Sequence, residues 1–404
     1  MQNPEETKKE ARPVPRGPVY FAKAGRPVPA FLFLMLSILL FTAAQAEPGS
    51  SGGSFIRIIQ SPRASAMGEA GTGLYGDLLG ALALNPAALA RTGYKEAAFA
   101  HNSWLEGISE QELAYAHPLR GNGVLAGYSS VLRTGAIDSY NNSDGYTGTV
   151  EAAGTLIGAD CAAKIAGPRN DRRLGLFAGG GIKYARQTLA GVSAGAVLYD
   201  VGLLSVFRAG AAGMMALGVS AQSLGSGLKF DLQRDHPPSV YRAGAGYITA
   251  LGGDPLTFAF DLVKPNDGNI SYAAGAELVL KKIVSWRIGY QSGFGSESGL
   301  RFGAGFMLKV LQLDYSMANY GKLGLAHRFS LSHKFGKPVE ISHYLSREEE
   351  EAEFKVGRAK KMMAEGRSYE AVLELNEALK LDPNFTEALA LMKKARLQME
   401  TEQK

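Results

Sequence analysis

Residues 300–309 read LRFGAGFMLK. Phe302, Ala304, Phe306 and Leu308 share one parity, and Arg301, Gly303, Gly305, Met307 and Lys309 share the other. Successive Cβ atoms of a strand point to opposite sides, so this period of two predicts a β-strand with one apolar face. Neighbouring stretches repeat it. In 284–291, Val284, Trp286, Ile288 and Tyr290 oppose Ser285, Arg287, Gly289 and Gln291. In 256–263, Leu256, Phe258, Phe260 and Leu262 oppose Thr257, Ala259, Asp261 and Val263. In 311–317, Leu311, Leu313, Tyr315 and Met317 oppose Gln312, Asp314 and Ser316. About fourteen such segments are traced, over 96–104, 111–118, 123–132, 154–166, 173–187, 194–207, 213–222, 239–249, 256–263, 271–281, 284–292, 300–309, 311–318 and 324–335. Many approach the roughly 9 to 11 residues that a tilted strand needs to cross a bilayer. An even count suits an outer-membrane barrel, and closure is required because an unpaired sheet edge in lipid leaves costly orphan groups. The expected fold is therefore all-β: a transmembrane barrel of antiparallel strands.

Composition fits that reading. Of the 50 glycines in 404 residues, 46 fall in 47–336, interleaved with short apolar and aromatic residues. Charged residues make up 20% of the chain and mean hydropathy is −0.05, which excludes a disordered polyelectrolyte. Repeated apolar runs of about 20 residues, as in a polytopic helical membrane protein, are missing from the sequence. The single cysteine, Cys161, excludes an intramolecular disulfide framework and any cysteine-cluster metal site; in its expected strand it reads as a small buried or lumen-facing residue. Net charge is only +5 with no basic stripe, so nucleic acid is not an expected partner. A soluble β-sandwich would also alternate. Export and a second face bearing Arg, Lys, Glu and Asp among glycines favour a wet or plugged lumen.

Export is read from the first 46 residues. The apolar run AFLFLMLSILLF at 30–41 follows Arg12, Arg16, Lys23 and Arg26 and precedes Ala44 and Ala46. A charged region, an apolar core and an A-x-A site are the three parts of a secretory signal peptide. A helix of that length spans about 18 Å, short of the ~30 Å hydrocarbon core, which disfavours an uncleaved anchor. Four segments are expected: a signal peptide over 1–46, a hatch or plug over 47–94, the barrel over 95–336 and a helical tail over 337–404. In the second, residues 62–90 alternate poorly and are rich in small side chains, as a plug inside a wide barrel would be. Asn85-Pro86 is a turn pair, and Arg63, Asp77 and Asn85 read as hatch packing and turn formation before ligand contact.

After Pro338 the period changes. Ala359, Gly366, Ala371, Leu375, Ala378 and Pro383 fall at the spacings of one tetratricopeptide repeat, and 386–400 make a third amphipathic helix. Ala371 and Ala378 are small where two helices cross, while Gly366 and Pro383 end them. One repeat plus a helix is short of the roughly three repeats that usually stand alone, so docking on the barrel mouth or on a partner is expected; a partly helical charged tail is the other reading. In an even-stranded barrel both ends face the periplasm, and so would this tail.

No catalytic constellation is legible. His101, His117, His236, His327, His333 and His343 show no metal-ligand spacing, and no nucleophile elbow or Walker loop is present, so neither an enzyme nor a metal or cofactor is expected. The polar stretch 138–148, with Asn141, Asn142 and Asp144, misses the calcium-loop spacing and reads as an extracellular loop.

Residues 63–90 read RASAMGEAGTGLYGDLLGALALNPAALA. The frame Arg63-Ala64, Met67-Gly68, Gly71, Asp77 and Asn85-Pro86-Ala87 with Leu89 resembles the N-terminal segment of the PorV/PorQ family, a branch of the FadL-type outer-membrane proteins. Ala88 stands where that family usually has glycine, and Glu69 where a second glycine is common. LDYSMANYGKLGLAHRFSLSHKF at 313–335 resembles the family's last two strands. By that resemblance Phe329, Leu331 and Phe335 in the last strand are the assembly signal for the barrel-insertion machinery. Arg63, Met67, Gly68, Asp77, Asn85 and Pro86 are the hatch motif. The resemblance implies an outer-membrane protein of a diderm bacterium acting in envelope transport or protein export, with the tail recruiting a periplasmic or secreted protein. Two other functions stay open: a FadL-like channel taking up an apolar ligand, and a structural or adhesive barrel. Outer-membrane lipid is a partner in all three.

Overall fold

A computed structural model describes residues 51–119, 123–167, 174–209, 213–230, 234–293, 299–336, 347–381 and 385–402. The signal peptide and Pro383 lie outside the described residues. The N-terminal segment carries two short helices, α1 (Pro62–Ala66) and α2 (Leu78–Leu84), and a 3-10 helix at Pro86–Arg91. Sixteen strands follow among the described residues: β1 (Lys95–Ser103), β2 (Ser109–Pro118), β3 (Gly123–Arg133), β4 (Ile137–Tyr140), β5 (Tyr146–Val150), β6 (Ala152–Ala166), β7 (Gly175–Leu189), β8 (Val192–Ala209), β9 (Gly213–Gly225), β10 (Val240–Leu251), β11 (Asp254–Pro265), β12 (Ser271–Leu280), β13 (Val284–Gln291), β14 (Leu300–Leu308), β15 (Leu311–Asn319) and β16 (Leu325–Phe335). Three helices close the chain: α3 (Arg347–Ala364), α4 (Ser368–Leu381) and α5 (Thr386–Glu402).

Fourteen strands form a closed antiparallel barrel, with β1 paired to both β2 and β16 and β3 paired to β6. The closing seam runs from Lys95↔Phe335 to Ser103↔His327. Both ends of the barrel chain therefore sit at the same rim, where tight joins such as 252–253 and 309–310 also lie. The longer joins 134–151 and 226–239 lie at the other rim. The first of them is not a plain loop. β4 and β5 form a separate hairpin whose turn is held by Asn141, which accepts from the Ser143 and Gly145 amides at 3.0 and 2.8 Å. Tyr140 and Tyr146 cross edge to face at 5.8 Å behind it. An asparagine that bonds its own downstream backbone nucleates such a turn locally.

The burial pattern is inverted relative to a soluble sheet. Leu113, Ile157, Phe258, Trp286, Phe302 and Phe329 point outward and stay exposed, while Arg242, Arg287, Arg301, Arg328, Asp261, Glu277 and Asp314 point inward and are buried. Apolar out and charged in is the arrangement of a barrel solvated by lipid. Cys161 departs from its expected place: it is exposed on the outward face, because Asp160 beside it takes the inward position in β6. Two irregularities break the wall among the described residues: one at Lys164–Ala166 of β6 against β7, and one where Gln222 and Ser223 of β9 oppose Asp200 of β8. The Ser223 N–H, left without a ladder partner, donates to Asp200 Oδ1 at 2.6 Å, and Ser239 Oγ donates to the Ser223 carbonyl at 2.9 Å. Both backbone groups of the bulge are thus satisfied by side chains.

In the tail, α3 and α4 run antiparallel, with Lys355 paired to Glu377 and Arg358 to Glu374 at 3.1 Å. Ala359, Ala371, Leu375 and Ala378 are buried in one apolar cluster with Ala388 and Met392 of α5, and Gly366 turns the chain between helices at φ +76°.

Candidate functional site

The N-terminal segment packs against inward-facing residues of the wall through Ile59, Arg63, Met67, Gly68, Thr72 and Asn85, and in places backbone meets backbone. Met67 is fully buried, and a Cβ added to Gly289 of β13 would strike the Met67–Gly68 peptide. Gly68 has φ +72°, and its own added Cβ would lie 2.5 Å from the Tyr290 carbonyl oxygen. Across the lumen, a Cβ on Gly218 of β9 would run into the Thr72 carbonyl. The glycine excess of the sequence is in part a track that lets the hatch lie against the wall.

Charge then fixes the hatch in place. Arg63 Nε and Nη2 donate to the two oxygens of Glu277 at 2.8 and 2.7 Å, and its Nη1 donates to the Tyr75 carbonyl at 3.1 Å. Glu277 also accepts from Arg287 at 2.6 Å, and Arg287 donates onward to Asp314 at 2.6 Å. This chain of alternating charge joins hatch, β12, β13 and β15. Bidentate, desolvated pairs of this kind are the strong ones. Burial pushes the Asp77 carboxyl above its ordinary value despite Arg63 nearby; it accepts from Ser61 Oγ at 2.5 Å. Asn85 ties three segments: its Nδ2 donates to the Thr72 and Leu203 carbonyls at 2.9 and 3.0 Å, and its Oδ1 accepts from the Ala87 amide at 3.1 Å. Pro86 begins the 3-10 helix, where no backbone donor is needed. Arg63, Met67, Gly68, Asp77, Asn85 and Pro86 all sit at hatch–wall or hatch–hatch contacts. Arg63, Met67 and Asp77 share one small pocket, whereas Asn85 lies against β8 and β9.

A second cluster lies toward the rim opposite the chain ends. Arg301 donates to Glu69 Oε1 at 2.7 Å and also to Gln291, and Gln291 donates to Glu69 Oε2 at 3.1 Å. Arg242 is held loosely: its Nη2 stands 3.9 Å from Glu69 Oε2, Nη1 reaches the Glu69 carbonyl at 3.4 Å, and Nε has no hydrogen-bond partner. Arg328, fully buried, donates to the Ile59 carbonyl and Ser65 Oγ at 2.9 and 2.8 Å and lies 4.8 Å from the Trp104 ring centre. Burial alone would raise the Glu69 carboxyl; Arg301, Arg242 and Arg328 together hold it below its ordinary value. Glu69 adopts φ +67°, a left-handed conformation that costs a side-chain-bearing residue about 1–2 kcal/mol. Above this cluster opens a cavity of about 560 Å³, lined by Trp104, Ile270 and Tyr320 on its apolar side and by Glu69, Arg242 and Gln291 at its polar end. Its size falls in the range of small-molecule sites, roughly 300–1,000 Å³.

Sequence reading missed the partners Glu277, Arg287 and Asp314 and the Glu69 cluster as a unit. Alternation placed the wall residues on the lumen face but carried no information on which of them meet. Among the described residues no group of three or more His, Cys, Asp and Glu could hold a metal ion. In the last strand, Phe329 and Leu331 face outward, and Phe335 stacks on Tyr115 of β2 at 6.1 Å.

The fold and the inverted wall define a class: a closed 14-strand antiparallel β-barrel of the kind found in outer membranes, with its N-terminal segment packed against the lumen wall. No protein-family model and no curated protein matches the chain. Solved structures similar in fold include the Ralstonia pickettii toluene transporter TbuX, at 12% identity, covering 69% of this chain and 99% of that one with a TM-score of 0.48. The Pseudomonas putida toluene transporter TodX shares 9% identity over 72% and 98% of the two chains, with a TM-score of 0.46. A Pseudomonas aeruginosa FadL homologue shares 11% over 69% and 98%, with a TM-score of 0.39. The likeness is one of fold.

Proposed function

We propose that the chain is a PorV/PorQ-like outer-membrane barrel acting in envelope transport or protein export, with its C-terminal helices recruiting protein partners. The observation that supports this reading is a hatch seated on wall glycines and pinned by buried ion pairs. A barrel so occupied presents its mouth, its outer wall and its tail to partners. In an even-stranded barrel both chain ends face the periplasm, so the helices of 347–402 work there. They resemble one tetratricopeptide repeat plus a helix. Phe354, Tyr369, Leu373 and Leu397 remain exposed on them, which supports a protein ligand. Arg63, Met67, Gly68, Asp77, Asn85 and Pro86 act structurally, as the hatch's anchors. Phe329, Leu331 and Phe335 form the strand that the barrel-insertion machinery reads.

The cavity of about 560 Å³ favours a second reading, a FadL-like channel for apolar small molecules. One experiment separates the two. The protein is captured from gently solubilised outer membrane, and retained proteins and lipids are identified by mass spectrometry, with and without 337–404. Secreted cargo or envelope-machine subunits lost with the tail support export. A stoichiometric apolar ligand without a protein partner supports the channel. Recovery only from a soluble periplasmic fraction overturns both.

A further inference from the structure

We propose that a hard divalent cation, calcium by its coordination, binds between hatch and wall at Glu110, Glu112 and Gln60 and latches the hatch to β2. The latch goes beyond the transport reading and holds whichever cargo the barrel serves. The hatch's ion pairs run to one part of the wall: Arg57 to Asp267, Arg63 to Glu277 and Glu69 to Arg301. On the arc from β2 to β6 the wall instead turns carboxylates inward. Glu110 and Glu112 are buried, two residues apart on one face of β2. Ser130 of β3 stands opposite Glu112, yet its hydroxyl donates to Glu110 Oε1 at 2.5 Å, so Glu110 leans toward Glu112. A separate cavity of about 50 Å³ opens here, lined by both glutamates and, from the hatch, by Gln60. Glu110 Oε2 and Gln60 Oε1 have no hydrogen-bond partner, although the two residues are only 3% and 2% exposed. Gln60 Nε2 donates to the Ile58 carbonyl at 3.3 Å, so an amide flip would only set two oxygens against each other. Buried oxygens of this kind call for a donor or a cation. Charge decides for the cation. Lys183 is engaged by Asp200 at 2.7 Å, and Arg57 by Asp267 at 2.6 Å. Arg242 faces Glu69 and Asp261, and Glu69 is paired with Arg301. Arg328 acts on Glu110. Glu112 has Glu110, Asp77 and Asp160 acting on it, and Asp160 is buried with both oxygens unpartnered. Arg328 answers one of Glu110, Glu112 and Asp160, and two negative charges remain, the complement of a divalent ion. The donors are oxygens alone, which selects a hard ion. Calcium accepts irregular sets of about six to eight oxygens, so two carboxylates, an amide and water suffice, whereas magnesium demands an octahedron and keeps several waters.

The probes are calcium chloride and magnesium chloride, titrated calorimetrically into the full chain. The chain is refolded into neutral detergent without lipopolysaccharide and freed of metal with a chelator. Calcium should bind stoichiometrically and about tenfold or more tighter than magnesium. It should also raise the thermal midpoint and slow hydrogen exchange of the amides of 56–60. Glu112→Gln should abolish the calcium response and leave the metal-free midpoint unchanged or higher, since it removes a repelled charge. A merely structural role for Glu112 would lower that midpoint instead. Gln60→Leu should weaken calcium binding without abolishing it. Heat-modifiable gel mobility verifies that each variant is a folded barrel; only folded variants are scored, and the exchange map of wild type with and without calcium decides if they fail. Absence of calcium binding, or equal affinity for magnesium, overturns the site. Calcium binding that survives Glu112→Gln, or protection confined to 138–148, overturns its placement. Because binding is read on the purified barrel, loss of every protein partner in the capture experiment leaves this result untouched.

Discussion

At Glu277 a single carboxylate serves two guanidiniums, one from the hatch and one from the wall. Removing it strands both charges in the lumen, and breaking a buried pair from one side costs about 3–5 kcal/mol. Glu277→Ala should lower the thermal midpoint of the folded barrel and speed hydrogen exchange of the amides of 62–74; unchanged exchange there would mean the hatch is held elsewhere. Gly289→Ala tests the steric half of the same contact. A methyl group has no room against the Met67–Gly68 backbone, and overpacking of this kind costs about 1–3 kcal/mol. Glu69 makes a pH prediction. Its folded carboxyl is depressed, so its contribution to hatch stability is present above the unfolded value and is lost as pH falls through the folded one. Protection of the hatch amides, corrected for intrinsic exchange at each pH, should therefore fall on acidification below about pH 4, and Glu69→Gln should flatten that limb. An identical acid limb in the variant would assign the effect to other carboxylates.

Among the elements, the strands were the most legible. In β11, β13, β14 and β15 each residue placed on the apolar parity by the sequence faces outward, because a period of two leaves a strand only two faces. Ile288, near the middle of β13 and 48% exposed, meets lipid in this arrangement. Ile288→Arg should cost roughly 2–4 kcal/mol near the bilayer midplane, whereas the same change at a rim position costs about 0–1 kcal/mol. Unfolding in lipid vesicles measures both. The β4–β5 hairpin was not legible as strands. Its segments are short and exposed on both faces, so no hydrophobic parity marks them, and only the Asn141 turn organises the stretch. Cys161 was misplaced for a related reason. A small residue fits either face, and the parity of β6 is decided by Asp160 turning inward. A membrane-permeant maleimide should modify Cys161 in the intact barrel, as befits an outward thiol.

For the whole molecule, the barrel and the tail have separate physics. α3 to α5 bury their own cluster of alanines with Leu375 and Met392, independent of any strand. Deleting 337–404 should leave heat-modifiable mobility and thermal midpoint of the barrel unchanged while removing protein partners from the captured complex. A barrel that no longer folds would tie the tail to stability instead.

By itself the sequence determined that strands would form, about how many would close and which face would turn outward, since alternation and strand length are local properties written along the chain. It also marked 62–90 as a compact non-strand segment and 347–402 as helices. Only the tertiary structure decided what the lumen holds. Which arginine meets which carboxylate depends on register and on the path of the hatch, and residues as distant in sequence as Glu69 and Arg301, or Arg63 and Glu277, become partners only once the barrel has closed around them.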